Sequence, residues 1–417
     1  MKPPVLKDDC FALPSGVHWT PVDEALDLLR TRLACVVGTE TLPIMQVSGR
    51  VLGQTVRAIR SNPPTANSAI DGFGFAHSAL GDGTQVLALL DGRSAAGAPY
   101  HGVVPHGSAV RILTGATLPA GVDTVVMQED VAVSEGQISF QSGLKARANA
   151  RRAGEDVLAE DTLFQQGHKL SPQDIALLAA AGLGEVSVYK RLRVGVLSTG
   201  DEIKPAGSKA NKDQIYDANR PMLLAVLARW GMDTIDLGHV GDDRIDLRDR
   251  LDSAAKQVDA ILTSGGASAG EEDHLSAILA AEGQVQSWRI ALKPGRPLAL
   301  GMWQGVPIFG LPGNPVAAFV CTLIFACPSL ALMGGGDWAL PQGFMVPAGF
   351  AKVKKAGRRE FLRGRMEDGQ VKIFRSEGSG LISGLSWANG LVELSDEAQT
   401  VAKGDPVRFI PYGSFGL

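Results

Sequence analysis

Three glycine-rich loops between Thr263 and Val316 carry the residues best suited to chemistry. They read TSGGASAGEED, LKPGRP and GLPGNPV, and each follows or enters an apolar run typical of a strand or helix. Glycine lets backbone N–H groups approach a phosphate or oxyanion closely, and the loops add cations at Lys293 and Arg296. The acidic run 271–273 adds hard oxygen ligands for a cation. The loops therefore predict a metal-assisted reaction on a phosphorylated substrate.

Other catalytic patterns are missing from the sequence. Its seven histidines show no HExxH or paired spacing, which argues against a zinc hydrolase. No serine lies in GxSxG and no Cys–His pairing is readable, so covalent nucleophilic catalysis is not expected. A metal-activated water that attacks phosphorus is the better prediction.

The composition is that of a folded multidomain protein. With 417 residues, 45% of them hydrophobic and 20% charged, the chain is long enough for two to four domains. Its formal charge of −4 gives no overall attraction to nucleic acid, so nucleic acid is not an expected partner. Fifty glycines favour tight turns and short strands, and mixed α and β structure is expected.

Cysteine usage and hydropathy predict a cytoplasmic protein without a membrane partner. The four cysteines form no CxxC pair, which favours buried thiols in a reducing compartment. The start MKPPVLKDDC lacks the apolar region of a signal peptide. The apolar run from Val316 is expected to be interrupted at Pro328 before it reaches membrane-spanning length.

Two helices and a set of strands are predicted in the first half of the chain. Thr20 is a plausible cap for a helix that starts at Pro21, with Asp23 completing a capping box. The segment SPQDIALLAAAGLG predicts a second capped helix that ends at glycine. These helices assign 17–45 plus 146–190 to a small linking domain, and the short β-prone segments of 46–145 to an inserted β-rich lobe.

The second half alternates between strand and helix patterns. From 191 to 333 this alternation predicts a parallel sheet flanked by helices. Ligands of such sheets bind at the carboxyl ends of the strands, and the glycine loops fall at those ends. Residues 334–417 predict a C-terminal β domain. The expected fold class is an α/β and β multidomain protein.

Eight motifs resemble, in order, the signatures of molybdopterin molybdenumtransferases, and they span nearly the whole chain. They are NSAIDGF, RILTGATLP, DTVVMQED, RRAGEDV, STGDEI, TSGGASAGEED, KPGRPLALG and GLPGNPVAAF. This family includes the bacterial molybdenum-insertion enzyme and the E domain of gephyrin. The resemblance implies an elongated homodimer of four-domain subunits, an α/β domain like molybdopterin adenylyltransferase, and a cleft that includes residues of the partner subunit.

The resemblance also implies the reaction. Its substrates are adenylated molybdopterin and molybdate, and a divalent cation such as Mg²⁺ assists the hydrolysis that releases AMP. Molybdenum stays on the dithiolene sulfurs. The adenylyltransferase itself is a possible protein partner.

Three acids match functional and metal-associated positions of the family: Glu202, Asp242 and Asp273. Each has an alternative structural role. Glu202 could be a solvated loop acid, Asp242 a turn residue, and Asp273 the N-cap of the helix that follows it. The neighbouring Asp243 could also be a turn or cap residue.

A second group of residues matches the family's molybdate contacts. They are Ser268, Lys293, Arg296, Pro297, Arg363 and Ser383. Arg296 stands where the family usually has a second lysine, which keeps the charge but changes hydration and geometry. By composition alone, Arg363 would be a surface charge and Ser383 a turn residue.

Four residues of the first half match family positions in the cleft. Asp71 and Thr114 lie beside Gly72 and Gly115, and turn formation is their structural alternative. Arg151 suits a terminal phosphate or the pterin, and Asp156 completes its motif. Asn314, in the second half, could cap the helix that begins after Pro315 or orient the ligand, and the capping role is favoured.

Two rival functions remain open. One is molybdopterin adenylyltransferase, which shares the α/β domain but not the extra β-rich regions. The other is a non-catalytic scaffold, since the gephyrin E domain also anchors receptors. The polar cleft residues favour the molybdenum-insertion enzyme.

Overall fold

The structure is a computed structural model that describes residues 19–266, 274–295 and 297–417. The chain divides into two compact units. The smaller unit consists of Thr41–Ser48 and Gln54–Val188. The larger unit takes in the described residues up to Glu40, the segment Gly49–Gly53 and all that follows from Tyr189.

Eight α-helices lie in the described residues. They are α1 (Val22–Arg32), α2 (Pro172–Ala180), α3 (Asn219–Arg229), α4 (Arg244–Ala255), α5 (His274–Glu282), α6 (Pro315–Cys321), α7 (Cys327–Met333) and α8 (Ser383–Trp387).

From residue 19 to the α/β region the structure has twelve strands: β1 (Thr39–Pro43), β2 (Val56–Arg57), β3 (Asn67–Ser68), β4 (Gly72–Phe75), β5 (Gln85–Ser94), β6 (Ser108–Ile112), β7 (Thr124–Met127), β8 (Ala132–Ser134), β9 (Gln137–Phe140), β10 (Ala150–Arg151), β11 (Thr162–Phe164) and β12 (Glu185–Tyr189). In the smaller unit six of them form a sheet in the order β7-β4-β6-β5-β9-β8. The predicted β-rich character of this region is confirmed.

The larger unit contains the remaining strands: β13 (Arg193–Thr199), β14 (Ile203–Lys204), β15 (Ile215–Tyr216), β16 (Asp233–Val240), β17 (Ala260–Ser264), β18 (Gln284–Arg289), β19 (Leu292–Lys293), β20 (Pro297–Trp303), β21 (Val306–Leu311), β22 (Phe344–Pro347), β23 (Lys352–Lys354), β24 (Arg359–Glu367), β25 (Gln370–Ile373), β26 (Gly390–Leu394), β27 (Gln399–Val401) and β28 (Pro406–Pro411).

A six-stranded sheet forms the centre of the larger unit. Its order is β16-β13-β17-β21-β20-β18. The first four strands are parallel, and β20 and β18 continue the sheet in antiparallel pairing. Successive residues of β13 face opposite sides of the sheet: Val194 and Val196 pack with α1, α3 and α6, whereas Leu197 packs with α4 and α5. The predicted α/β fold with helices on both faces is confirmed.

The C-terminal region forms a β domain, as predicted. Its sheet has the order β19-β24-β26-β28-β22, with β25 added to β24. The short strand β19 comes from the α/β region and pairs in parallel with β24, so that Lys293 lies opposite Glu360. This pairing delivers one glycine-loop cation to the edge of the C-terminal sheet.

The long apolar helix of the chain is a core helix. A π-helical segment, Thr322–Ala326, joins α6 to α7, so Pro315–Met333 is helical throughout. It is long and apolar enough to cross a membrane, but 83% of it is buried inside the protein. The prediction that Pro328 interrupts this run was wrong, because the π-helical segment leads directly into α7 and the chain stays helical through Pro328.

The first helix starts differently from the sequence prediction. It begins at Val22 after Pro21, and no side chain caps it. The carbonyl of Thr20 instead accepts a hydrogen bond of 2.8 Å from Ala291 N. Asp23 accepts two hydrogen bonds, of 2.8 and 2.7 Å, from the guanidinium of Arg359. The predicted capping box was wrong because Pro21, not Thr20, occupies the N-cap position and Arg359 engages the carboxylate of Asp23.

The second helix matches its prediction. Ser171 is the N-cap of α2, and its N–H donates to the carboxylate of Asp174 at 2.7 Å, which completes a capping box. The chain turns at Gly182, where φ is +90°. A positive φ of this kind favours glycine after a helix.

Cysteine burial follows the prediction in part. Cys321 is fully buried in the core helix, and burial raises the pKa of its thiol to about 12. Cys327 is half-buried, but Cys35 is exposed, so the expectation of buried thiols was wrong for Cys35.

Candidate functional site

The carboxyl ends of the parallel strands are joined by close-packed glycine loops. After β17, Gly265 has φ of +95°, and a Cβ there would lie 2.8 Å from the Thr199 carbonyl oxygen at the end of β13. After β21, a Cβ on Gly313 would lie 3.8 Å from the Cα of Gly265. Any other residue at 265 would place its Cβ too close to that oxygen, so glycine is needed there, whereas the Gly313 contact is an ordinary one. The loops therefore meet at one edge of the sheet, as the sequence predicts.

Buried polar side chains lie next to these loops, at the strand ends and at the start of α3. Asn219, at the start of α3, donates from Nδ2 to Ser264 Oγ and to the Gly313 carbonyl, both at 2.7 Å. Several buried oxygens here make no hydrogen bond within the described part of the chain: Asn219 Oδ1, Ser198 Oγ, Thr199 Oγ1 and Thr263 Oγ1. Buried polar atoms without partners cost free energy, and a polar ligand can supply the partners. Sequence reasoning missed Asn219, which nothing in YDANR distinguishes from an ordinary helix start.

The loops after β13 and β16 are tied together by two aspartates. Asp201 N donates to Asp242 Oδ2 at 3.1 Å, and Asp242 N donates to Asp201 Oδ1 at 3.0 Å. The structure thus brings Asp242 next to the loop that carries Glu202, whose side chain is exposed. Sequence reasoning missed Asp201, although its position beside Glu202 in STGDEI was a usable signal.

The neighbouring Asp243 has a structural role. Its Oδ1 accepts from Ile245 N at 2.8 Å and from Asp246 N at 2.9 Å, so it caps α4. The alternative role proposed for Asp243 from the sequence is confirmed. Asp242 does not cap its own helix but binds the adjacent loop.

The chemistry of these loop acids suits a hard cation, because carboxylate oxygens are its preferred ligands. Among the described residues, no group of three or more His, Cys, Asp or Glu side chains is close enough to hold a metal. The third predicted acid, Asp273, lies outside the described residues, as do Ser268 and Arg296. The ligand set therefore stays a prediction.

Four charged side chains meet where β19 joins the C-terminal sheet. We call them the four-charge cluster: Lys293, Lys352, Glu360 and Glu377. Lys293 Nζ lies 2.5 Å from Glu377 Oε2 and 3.3 Å from Glu360 Oε1. Lys352 Nζ pairs with the other oxygen of Glu377 and lies 3.3 Å from Glu360 Oε2. Each carboxylate thus bridges both lysines.

The four charged side chains of the cluster are partly buried. Burial opposes the charge on Lys293, but the hydrogen bond to Glu377 and the charge of Glu360 outweigh it, so the pKa of Lys293 is raised. Burial likewise opposes the charge on Glu377, yet the hydrogen bonds from Lys293 and Lys352 keep the pKa of Glu377 lowered. All of these shifts favour the ionised forms.

Arg363 is buried beside the cluster, with 4% of its surface exposed. Its guanidinium donates to the carbonyl oxygens of Ser376 at 2.5 Å, Leu381 at 2.7 Å and Gly378 at 3.1 Å. Burial lowers its pKa. The interpretation of Arg363 as a surface charge was wrong, because β24 points this side chain inward.

Ser383 is exposed and begins α8, close to Arg363. The next residue, Gly384, packs so tightly that a Cβ on it would lie 2.6 Å from Arg363 Nη1. The structure therefore brings together the segments of these two predicted molybdate contacts. Pro297 begins β20, with its backbone paired to Arg289.

A pocket of about 420 Å³ opens beside Lys293. Its lining includes Gly295, Asn314, Arg358, Glu377 and Ser379. Asn314 occupies the N-cap position of α6, as expected, but its side chain makes no capping hydrogen bond. Sequence reasoning missed Glu377, Arg358 and Ser379 as pocket residues, since none of them lies in a recognised motif.

In the smaller unit, Asp71 and Thr114 form a local pair. The N–H and the hydroxyl of Thr114 both donate to Asp71 Oδ1 at 2.6 Å. The side-chain hydrogen bond from Thr114 is the largest of the causes that lower the pKa of Asp71. The pair keeps this carboxylate ionised.

Arg151 and Asp156 are exposed in the same unit. Arg151 lies on β10, opposite Asn67 of β3. Asp156 Oδ2 accepts a hydrogen bond from Asn62 Nδ2 at 3.0 Å. Arg151 thus presents a cation to solvent, whereas Asp156 helps to hold its own loop.

Three family models match consecutive parts of the chain. Residues 20–182 match the MoeA N-terminal region (domain I and II), residues 195–331 match a probable molybdopterin binding domain, and residues 346–412 match the MoeA C-terminal region (domain IV). The adenylyltransferase alternative does not account for the first and last of these matches.

Relatives that match nearly the whole chain point to the same family as these models. The chain is 37% identical to molybdopterin molybdenumtransferase of Haemophilus influenzae over 94% of this chain and 98% of that protein. It is 32% identical to molybdopterin molybdenumtransferase 2 of Mycobacterium tuberculosis over 87% and 93% of the two chains. A crystal structure of the molybdopterin biosynthesis MoeA protein from Pyrococcus horikoshii matches with a TM-score of 0.83 and 26% identity over 95% and 100% of the two chains. The chain therefore belongs to the molybdopterin molybdenumtransferase family, and it is a transferase of molybdenum cofactor biosynthesis.

Proposed function

We propose that the protein inserts molybdenum from molybdate into adenylated molybdopterin and releases AMP in a Mg²⁺-dependent hydrolysis. The observation that carries this proposal is the pocket of about 420 Å³ beside Lys293, next to the glycine loops of the sheet edge. Its lining combines a cation with glycines, whose backbone N–H groups can approach an anion closely, and this suits phosphate and oxyanion groups.

The adenylated pterin is proposed to bind along the carboxyl ends of β13, β17 and β21. Asn219 Oδ1 and the hydroxyl oxygens of Thr199 and Thr263 are buried there without hydrogen-bond partners among the described residues. A pterin and its phosphates offer hydrogen-bonding atoms to such groups. Binding would orient the substrate across the glycine loops.

Molybdate is proposed to bind at Lys293, with Arg363 and Ser383 behind it and Ser268, Arg296 and Pro297 completing the set. The ammonium of Lys293 and the guanidinium of Arg363 offer charge-assisted hydrogen bonds to an oxyanion. The pairing of β19 with β24 supports this assignment, because it places Lys293 at the sheet that carries Arg363.

Mg²⁺ is proposed to be held by Glu202 and Asp242, with Asp273 as a further ligand. The carboxylates of the first two residues lie on loops that Asp201 ties together. When bound, the ion would neutralise phosphate charge and lower the pKa of a water molecule. Asp201 positions the Asp242 loop through its hydrogen bond to Asp242 N.

Further parts of the proposal follow from the family resemblance. The protein is proposed to be a cytoplasmic homodimer, and the adenylyltransferase that makes its substrate is a possible partner. Asp71, Thr114, Arg151 and Asp156 are proposed to contribute to the cleft. Light scattering of the purified protein tests the dimer.

The deciding experiment measures AMP release from adenylated molybdopterin by the purified protein with Mg²⁺. Molybdate, tungstate and no oxyanion are compared. We expect release that depends on the oxyanion and stops when the divalent cation is chelated. Consumption of ATP without molybdate would favour the adenylyltransferase function instead, and bound pterin without any release would favour a scaffold.

A further inference from the structure

We propose that Glu377 is an internal carboxylate gate, which occupies the oxyanion position of the proposed site and must move away before molybdate can bind. This inference rests on the proposed function. It is carried by the contacts of Glu377 with two lysines and by its place between two cavities.

Glu377 accepts the hydrogen bonds that an oxyanion would use. Its Oε2 lies 2.5 Å from Lys293 Nζ, and its Oε1 accepts from Lys352. A carboxylate that bridges two ammonium groups presents two negatively charged oxygens to them, as an oxyanion would. While Glu377 stays there, these donors are engaged.

The Lys293–Glu377 pair also forms a partition. Both residues line the open pocket of about 420 Å³, and both line a second cavity of about 20 Å³ that reaches Arg363. The second cavity has room for about one water molecule, which is too little for molybdate. Movement of Glu377 would join the two spaces and open the way to Arg363.

The net charge of the four-charge cluster is consistent with a site that Glu377 keeps closed to anions. The two ammonium groups and two carboxylates of the four-charge cluster cancel, so the cluster offers no net attraction to a dianion. Removal of the Glu377 charge leaves a net positive cluster. Glu360 is less exposed than Glu377, with 11% against 41% of its side chain accessible, so Glu377 is the carboxylate that can leave.

The loop that carries Glu377 also engages the buried guanidinium. Ser376 and Gly378, on either side of Glu377, accept hydrogen bonds from Arg363 through their carbonyl oxygens. Departure of this loop would release donors of Arg363 together with those of the lysines. The gate therefore couples access to the site with the availability of its cations.

The test compares oxyanion binding by the wild-type protein, Glu377→Gln and Glu377→Ala, using calorimetry with molybdate and with sulfate. We expect both variants to bind both anions more tightly, by roughly tenfold, because the anion no longer displaces two charge-assisted hydrogen bonds. The matched control is Glu367→Gln, which removes a carboxylate from an exposed pair with Lys372 in the same sheet. It should leave the affinity unchanged.

Three outcomes separate the two proposals. If the wild-type protein binds molybdate and neither variant binds it more tightly than the Glu367→Gln control, the gate is wrong and the proposed function stands. If the variants bind more tightly but no protein releases AMP in the presence of molybdate, the gate stands and the function is wrong. If no protein binds molybdate, both are wrong.

Discussion

Asp201 and Asp242 bind each other's backbone, each carboxylate accepting a hydrogen bond from the N–H of the other residue. This reciprocal pair connects the loops that follow two neighbouring parallel strands. Asp242 therefore has two roles, as the acceptor of this hydrogen bond and as a negative charge. Asparagine at this position could still accept the hydrogen bond, but it would not carry the charge.

Asp242→Asn is predicted to lower Mg²⁺-dependent AMP release by about 100-fold or more, because it removes an anionic ligand while keeping an acceptor for Asp201 N. Its free energy of unfolding should change little. Asp242→Ala should lose the same activity and about 1 kcal/mol of stability through the lost hydrogen bond. Steady-state kinetics and urea unfolding test both; a fully active Asp242→Asn would remove Asp242 from the proposed metal site.

Lys293→Ala is predicted to abolish oxyanion-dependent AMP release, with a loss of roughly 100-fold or more, because the proposed molybdate contact is removed. The four-charge cluster then carries a net negative charge, which also repels the anion. Lys372→Ala is the matched control, since Lys372 pairs with Glu367 at the surface. Circular dichroism should show that both variants are folded, and a folded, active Lys293→Ala would contradict the assignment.

Gly384→Ala is predicted to destabilise the C-terminal region by about 1 to 3 kcal/mol, because the added Cβ would lie 2.6 Å from Arg363 Nη1. Displacement of Arg363 should also weaken molybdate binding. Gly380→Ala is the control, since nothing lies within 4 Å of a Cβ at that position. Equal stability and equal affinity of the two variants would show that Arg363 does not depend on this contact.

Asp23→Asn is predicted to destabilise the larger unit by less than about 1 kcal/mol, because an exposed ion pair contributes little. Asp23 pairs with Arg359, and the hydrogen bond from Arg359 is the main cause that lowers the pKa of Asp23. A lowered pKa means that this stability is present above the ordinary aspartate pKa and is lost as the pH falls through the folded value.

Thermal unfolding across that acidic range measures this loss. Thr20→Ala is the comparison, because Thr20 does not cap α1. A larger effect of Thr20→Ala than of Asp23→Asn would restore the capping interpretation.

Thr114→Val is predicted to raise the pKa of Asp71 toward its ordinary value, because the hydroxyl hydrogen bond is the main cause that lowers it. The backbone hydrogen bond from residue 114 would remain. Carboxyl NMR titration of Asp71 measures the shift. An unchanged pKa would mean that the backbone N–H of residue 114 and the charge of Arg111 are enough to lower it.

Much of the fold could be read from local patterns. The alternation of apolar strands with helices predicted the parallel sheet, because a buried strand and an amphipathic helix each leave a periodic signal. The capping box at Ser171 was likewise visible, since both of its partners lie within one helical turn. The glycine loops marked the carboxyl ends of the strands for the same local reason.

The local signals failed where distant residues compete for the same group. Thr20 and Asp23 form a good capping pattern, but the helix starts after Pro21 and Arg359 engages the carboxylate of Asp23. Pro328 also looked like an interruption, yet the surrounding core keeps the chain helical. For Asp23, the tertiary contact with Arg359 outweighs a capping preference worth about 1 kcal/mol.

The sequence by itself determined the family, the fold class and most of the candidate site residues, because these depend on motifs and periodicity within short segments. Only the tertiary structure decided which side chains contact these candidate site residues. Glu377 lies 84 residues from Lys293 in the chain, and Asp201 lies 41 residues from Asp242. Such pairs leave no local pattern, since a charge partner across a sheet is selected by three-dimensional proximity and burial.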